Sequence, residues 1–442
     1  MYLTLRFYLA MSTVVLLVAG GYLYPPLFNM GMAILWILMV TVVAETGMLY
    51  SKRGVRAERE CSERFSNGDD NPVHIRVENT FPFPLQLEVI DEIPPEFQRR
   101  DICLKARIGA RNERHLSYLL RPVERGEYHF GLVRILGTTV LGLVQRRFSC
   151  SHPIAIKVYP SYRMLRQYEL IAISSHLAER GIKRIRRVGH HTDFEQIKDY
   201  VKGDDYRTIN WKASARRHQL MVNVYQDERS QHIYNVIDKG RVMQQAFADS
   251  SAHGRQKGMT LLDYAINASL VLSYIAIRKE DKAGLITFSD RFETFVPASR
   301  QSGHMQTLLE TLYHQRTLFS ETDFSALCAN INKHINKRSL VVLYTNFMGM
   351  ASLKRQLPYL RQIGRRHRLL VVFFEDTQLK DYIHSPVSNM EEQFRHVIAE
   401  KYAYEKRLIA STLKQNGILS LLTAPDALSA NVINKYLELN SQ

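Results

Sequence analysis

The chain has 442 residues, enough for two or three domains, and carries a net charge of +16. That balance favours anionic partners: lipid headgroups, nucleic acid or an acidic protein face. Its four cysteines, Cys61, Cys103, Cys150 and Cys328, are scattered without C-x-x-C spacing, which excludes a disulfide framework and points to a reducing compartment.

Residues 7–44 contain no charge, and Pro25-Pro26 interrupts them just after Gly20-Gly21. One helix of that length would overshoot a bilayer, since a span needs about 20 residues. Two spans, over residues 7–24 and 27–50, fit better; Tyr22, Tyr24 and Trp36 are compatible with interfacial anchoring, the alternative for Trp36 being that it faces the other helix. Lys52, Arg53, Arg56 and Arg59 follow closely. The positive-inside bias then predicts a bacterial inner-membrane hairpin (residues 1–51) with both the N-terminus and everything after Ser51 in the cytoplasm. The rival reading is a cleaved signal peptide ending near Gly21. Its basic n-region would be Arg6 alone, and a second apolar span follows at once.

Short alternating runs at residues 73–77, 85–89, 115–119 and 154–158, punctuated by Pro and Gly, predict a β-sandwich over residues 52–165. No cluster of ligands or nucleophiles stands out in it, so it reads as a scaffold or docking module. The basic run Arg180, Lys183, Arg184, Arg186 and Arg187 follows; it is either a patch for anionic lipid or a solvated connector. Nucleic acid is not expected, because no stacking aromatics are interleaved with these bases.

Residues 166–230 form a linker with unusual density of turn chemistry. Gly189, Phe194, Glu195, Asp199, Tyr200, the Gly203-Asp204-Asp205 turn, Arg207, Asn210-Trp211-Lys212, Ala215 and Arg216 stand at fixed spacings within it. This pattern resembles the signature of the bacterial domain of unknown function 58 family, with Asp193 where Glu is expected. Members of that family are membrane-anchored, end in a von Willebrand factor A-like domain and are commonly encoded beside MoxR-type AAA+ ATPases. The resemblance implies the same architecture and partner here.

From residue 232 buried apolar strands alternate with helices: strands at 232–237, 283–288, 340–344, 369–374 and 418–422, helices at 261–277, 305–313, 357–363, 394–413 and 427–439. That order predicts a doubly wound parallel sheet over residues 231–442, whose ligands would bind at the carboxyl ends of the strands. In a von Willebrand A-like domain the first strand usually ends in Asp-x-Ser-x-Ser, which helps hold Mg²⁺. Here the stretch is Asp238-Lys239-Gly240-Arg241-Val242, with Asn346 in place of a later acid and Thr322 or Asp323 for the third loop. Two hydroxyls and a carboxylate are missing, so no metal and no other cofactor is expected. The same tips, with Lys239 and Arg241, remain a candidate surface for an acidic partner.

His190, His191, Asp193 and Glu195 match no standard zinc spacing and read as a hydrogen-bonded loop. Asp204, Asp205 and Lys212 could form an acid–base set; the alternative is that Asp204 or Asp205 caps a short helix presenting Trp211, whose indole is expected to be largely buried. No G-x-x-x-x-G-K-[ST] loop is present. The sequence therefore predicts a non-enzymatic adaptor that docks a MoxR-type AAA+ ATPase to a membrane client, for chaperone-like assembly or envelope stress tolerance. The alternatives are an enzyme using Asp204, Asp205 and Lys212, and a lipid-bound scaffold that needs no ATPase.

Overall fold

In the computed structural model, which describes all residues except 53, 98, 100–101, 162–191, 203, 228–229, 248–257, 318–319, 387–388 and 442, a short strand β1 (Tyr2–Leu3) precedes two apolar helices. These are α1 (Leu5–Gly20) and α2 (Pro25–Tyr50). Pro25 and Pro26 open α2 rather than interrupting it, because a first-turn proline lacks only an N–H that would be orphaned anyway. By length and composition α2 can cross a membrane, while α1 is a shorter apolar helix. Val14, Gly31 and Leu38 are buried in this pair, whereas Leu16, Trp36, Ile37 and Val40 face outward.

The strands that follow are β2 (Val55–Cys61), β3 (Arg64–Ser66), β4 (Asn71–Asn79), β5 (Leu85–Asp91), β6 (Cys103–Ile108), β7 (Asn112–Leu120), β8 (Gly126–Phe130), β9 (Val133–Thr138), β10 (Val144–Cys150) and β11 (Ile154–Tyr159). They form sheets ordered β1-β10-β9-β5-β6, β2-β4-β7 and β3-β11-β8 in a sandwich-like stack. Strict alternation along β4 buries Val73, Ile75 and Val77 and exposes His74, Arg76 and Glu78. Phe65, Leu87, Phe130, Ile135 and Val158 complete one shared core. This unit comprises Met1–Ser161 with Ala248–Met259.

The second unit, Tyr162–Phe247 with Thr260–Gln442, begins in the described residues with β12 (Thr192–Asp199). After it come α3 (Trp211–Arg217) and β13 (Met221–Asp227), which pairs antiparallel with β12. The basic run from Arg180 to Arg187, and Gly189, His190, His191 and Gly203, lie outside the described residues; so do the side chains of Asp193, Phe194 and Glu195.

Thereafter strands and helices alternate: β14 (His232–Asp238), α4 (Leu261–Arg278), β15 (Lys282–Phe288), β16 (Phe292–Ser299), α5 (His304–Tyr313), α6 (Phe324–His334), β17 (Leu340–Tyr344), α7 (Met350–Arg366), β18 (Arg368–Phe374), α8 (Thr377–Ile383), α9 (Met390–Gln415), β19 (Leu419–Thr423) and α10 (Leu428–Ser441). The six strands are ordered β16-β15-β14-β17-β18-β19. All pairs are parallel except β15 with β16, so the expected parallel sheet is mixed. The edge strand β16 was not foreseen because Pro297 interrupts it, and proline is tolerated in a sheet only at such an edge. One core joins α4, α5 and α10 to the sheet and another joins α6, α7 and α9 to it. Helix α4 is apolar enough for a membrane span, yet it is buried almost throughout as the central core helix.

In the sandwich one buried ion pair decides a prediction. Arg59 and Asp91 have fully buried side chains; Arg59 Nε donates to Asp91 Oδ2 at 3.0 Å and Nη2 to the Gly131 carbonyl at 3.0 Å. Tyr118 Oη also donates to Asp91, and burial pushes its phenol well above the ordinary range. Removing one partner strands the other charge in a dry interior. Asp91→Ala is therefore expected to cost about 3–5 kcal/mol, read by denaturant unfolding of the detergent-solubilised chain. A loss within the range of a surface substitution would contradict this reading.

Candidate functional site

The loop between β12 and β13 is held by its own polar residues. Asp204 accepts from the Val201 N–H at 3.0 Å and from Lys198 Nζ at 2.9 Å, and these bonds hold its carboxyl below the usual range. Asp205 accepts from the Arg207 N–H at 3.0 Å and so caps the 3-10 turn Tyr206–Thr208. Helix α3 is capped instead by Asn210, whose Oδ1 accepts from the Ala213 N–H at 3.0 Å while its Nδ2 donates to Asn223 at 2.9 Å. Ser214 is buried, and its Oγ accepts from the Met221 N–H at 2.9 Å. The expected helix cap is thus corrected from an aspartate to Asn210. Asp204 is engaged with Lys198, and Lys212 is exposed on α3, as are Ala215 and Arg216.

Trp211 is 70% exposed, which overturns its expected burial. Helix α3 has only seven residues and docks through Ser214 and the Asn210 cap, leaving the indole at its first turn outside the packed face. Asp199 is exposed at the end of β12, Tyr200 is half-buried, and Arg207 stacks over Tyr206 with 5.7 Å to the ring centroid.

The second group lies where chain order reverses across the sheet. The chain leaves β14 for β15 on one side and later returns to β17 on the other, so a crevice is expected beyond these carboxyl ends. Asp238 ends β14 there, fully buried. Its Oδ1 accepts from Thr322 Oγ1 and from the Gly240 N–H, each at 2.8 Å, and its Oδ2 accepts from Thr345 Oγ1 at 2.7 Å. Burial pushes its carboxyl pKa up, and the three donors oppose that shift. A Cβ on Gly240 would lie 2.2 Å from Thr322 Oγ1, so no larger residue fits there without rearrangement. Val242 adds no oxygen. These residues do not fit a divalent cation: the one carboxylate is already saturated from inside the fold.

Lys239 is 5% exposed and pairs with Glu293 of β16, so it is not a surface charge. Asn346 is also buried; its Oδ1 accepts from Lys406 Nζ of α9 at 2.5 Å, and the Phe347 carbonyl accepts from the same ammonium at 2.6 Å. Burial pushes Lys406 down to about 8, with Asp376 pulling the other way. Of the expected partner surface only Arg241 is exposed, 3.6 Å from Glu321, while Thr322 and Val242 are half-buried. The expected face is corrected accordingly: its charges are paired within the fold.

Sequence reasoning missed the outer face of α9. Met390, Phe394, Val397, Tyr404 and Leu408 are exposed along it, with Ile398 and Tyr402 beside them. The opposite face buries Ala399, Ile409 and Leu413. With Lys401, the outer residues follow a 4-3-4-3-4 spacing, the pattern of a coiled-coil seam.

Residues 196–383 match the family described as protein of unknown function DUF58. The chain is also 29% identical over 199 residues to the uncharacterized protein YeaD of Bacillus subtilis (strain 168), over 43% of this chain and 49% of that protein. It thus spans about half the length of that relative. Among solved structures, the CARDB domain of PF1109 from Pyrococcus furiosus, in complex with di-metal ions, covers 24% of this chain and 86% of its own at 13% identity and a TM-score of 0.18. The ASH/PapD-like domain of human CEP192 covers 25% and 89% at 10% identity and a TM-score of 0.17. At such scores these likenesses carry no argument.

Two expectations follow from the geometry. Asn210→Ala removes a cap and should cost about 1–2 kcal/mol, whereas Trp211→Ala should leave stability within about 0.5 kcal/mol; amide exchange at Ala213 and Met221 reads the first and thermal melting both. Equal costs would contradict the assignment. A raised carboxyl pKa stabilises the fold below its ordinary value of 3.8 and that contribution is lost as pH rises through the folded value. Asp238→Asn removes the titration, so the variant's thermal midpoint should fall less than the parent's as pH rises above the ordinary carboxyl value of 3.8. An unchanged pH profile would contradict the raised value.

Proposed function

From the match of residues 196–383 to the DUF58 family, we propose that the chain is a membrane-anchored, non-enzymatic adaptor for a MoxR-type AAA+ ATPase. In this reading α1 and α2 cross the inner membrane as a hairpin, and both units lie in the cytoplasm, where ATP is available to the partner. The second unit is a von Willebrand A-like domain whose metal position has been closed by Thr322, Thr345 and Gly240 around Asp238. The adaptor brings the ATPase to a membrane client for assembly or envelope stress tolerance.

One observation carries the reading: the exposed apolar stripe on α9. A contiguous apolar helix face left in water is the usual mark of a protein-binding surface. Its flanks carry both signs, with Glu391 paired to Arg395 and with Glu400, Glu405 and Arg407, and Lys401 stands within it. The complement is an apolar helix or groove on the ATPase with an acid facing Lys401.

The test is co-purification of the full chain with a MoxR-type AAA+ ATPase from the same organism. Phe394→Asp with Val397→Asp should weaken the association about tenfold or more, because a charge on each of two central anchors is left unpaired in the contact. Arg241→Glu should change it little. Both positions are exposed, so circular dichroism should be unaltered. Full binding by the folded double variant would contradict this placement of the contact.

A further inference from the structure

The first charged residues on either side of the uncharged run, Arg6 and Glu45, grip the same turn of the sandwich. That turn joins β9 to β10. Glu45 is buried; its Oε1 accepts from Thr139 Oγ1 and from the Gly142 N–H at 3.1 Å, and its Oε2 accepts from the Leu143 and Val144 N–H groups, each at 3.0 Å. Gly142 has φ +71°, a left-handed conformation that suits glycine and lets successive amides converge on the carboxylate. Arg6 Nη1 donates to the Leu141 carbonyl at 3.1 Å, and Thr4 Oγ1 to that of Gly142 at 2.5 Å. Strand β1 joins the same sheet, pairing Leu3 with Val144. Arg146 caps the end of α2 by donating to the Leu49 carbonyl and, at 2.8 Å, to that of Lys52.

These bonds fix the turn's position along the helices. Pro25 to Ala44 is 20 residues without a charge, about 30 Å of helix, the thickness of a bilayer's hydrocarbon core. Glu45 follows immediately, so a turn that surrounds its carboxylate stands at the boundary between acyl chains and headgroups. At the tip of that turn Val140 is 51% exposed and Leu141 59% exposed.

We propose that the Val140–Leu141 tip inserts into the headgroup–acyl boundary of the membrane, a third point of lipid contact that seats the sandwich on the bilayer. The occupant is the lipid surface itself, because the exposed apolar tip is bonded directly to Arg6 of α1 and Glu45 of α2, the two helices read as spanning the bilayer. The inference rests on the proposed membrane anchoring of those helices.

The experiment uses the full chain in liposomes, with tryptophan as a depth probe. In a Trp36→Phe/Trp211→Phe background, Leu141→Trp should emit at shorter wavelength than in detergent-free buffer controls with free tryptophan. It should lose intensity with lipids brominated near the headgroup end, and less with lipids brominated near the chain end. In a Trp211→Phe background, native Trp36 should be quenched most by the deeper bromines, which reports the span independently. Val140→Trp serves as a second tip probe if Leu141→Trp disturbs the turn. Quenching of Trp36 with both tip probes unquenched would overturn the insertion and leave the anchoring intact. If Trp36 is unquenched as well, the anchoring fails and the insertion with it.

Discussion

Asp238 is a carboxylate withdrawn from water at the end of the central strand, and the strand-end arrangement of the second unit depends on answering it. Burial of an unpaired charge would cost several kcal/mol. Three donors from separate segments, Gly240, Thr322 and Thr345, converge on it and thereby fix the loops after β14, before α6 and after β17. This convergence ties three loops together where the strand order would place a crevice. Lys406 adds a further tie by donating to Asn346 and to the Phe347 carbonyl. With Asp238, Lys239 and Asn346 engaged inside the fold, the largest unpartnered surface among the described residues of this unit is the outer face of α9.

The first unit meets the same constraint differently. Glu45 is a carboxylate at the end of an apolar helix, and it is answered by the amides of a β-turn rather than by another side-chain charge. Arg59 and Asp91 answer each other inside the sandwich. The helices and the sandwich are joined by hydrogen bonds, those of Glu45 largely buried, a stiffer link than a flexible linker.

Much of this was legible in the sequence. The uncharged run, the alternating strands and the βα alternation after residue 232 have periods that follow directly from strand and helix geometry. That Gly240 and Val242 carry no side-chain oxygen could also be read directly from the sequence. The errors have local causes. Lys239 was expected on the surface because its partner, Glu293, belongs to β16, the edge strand that Pro297 disguises. Trp211 was expected in a core because tryptophan usually gains from burial, but Ser214 and Asn210 do the docking of α3. The α9 stripe was present as a 4-3-4-3-4 spacing and was absorbed into an ordinary core helix; only burial separates its two apolar faces.

The central claim is that the outer face of α9 receives the ATPase. Hydrogen–deuterium exchange of the membrane-reconstituted chain, with and without the ATPase and ATP, tests it most directly. The account predicts new protection concentrated in residues 390–404, with residues 238–241 and 345–349 unchanged. Protection at the strand tips with none in residues 390–404 would contradict it.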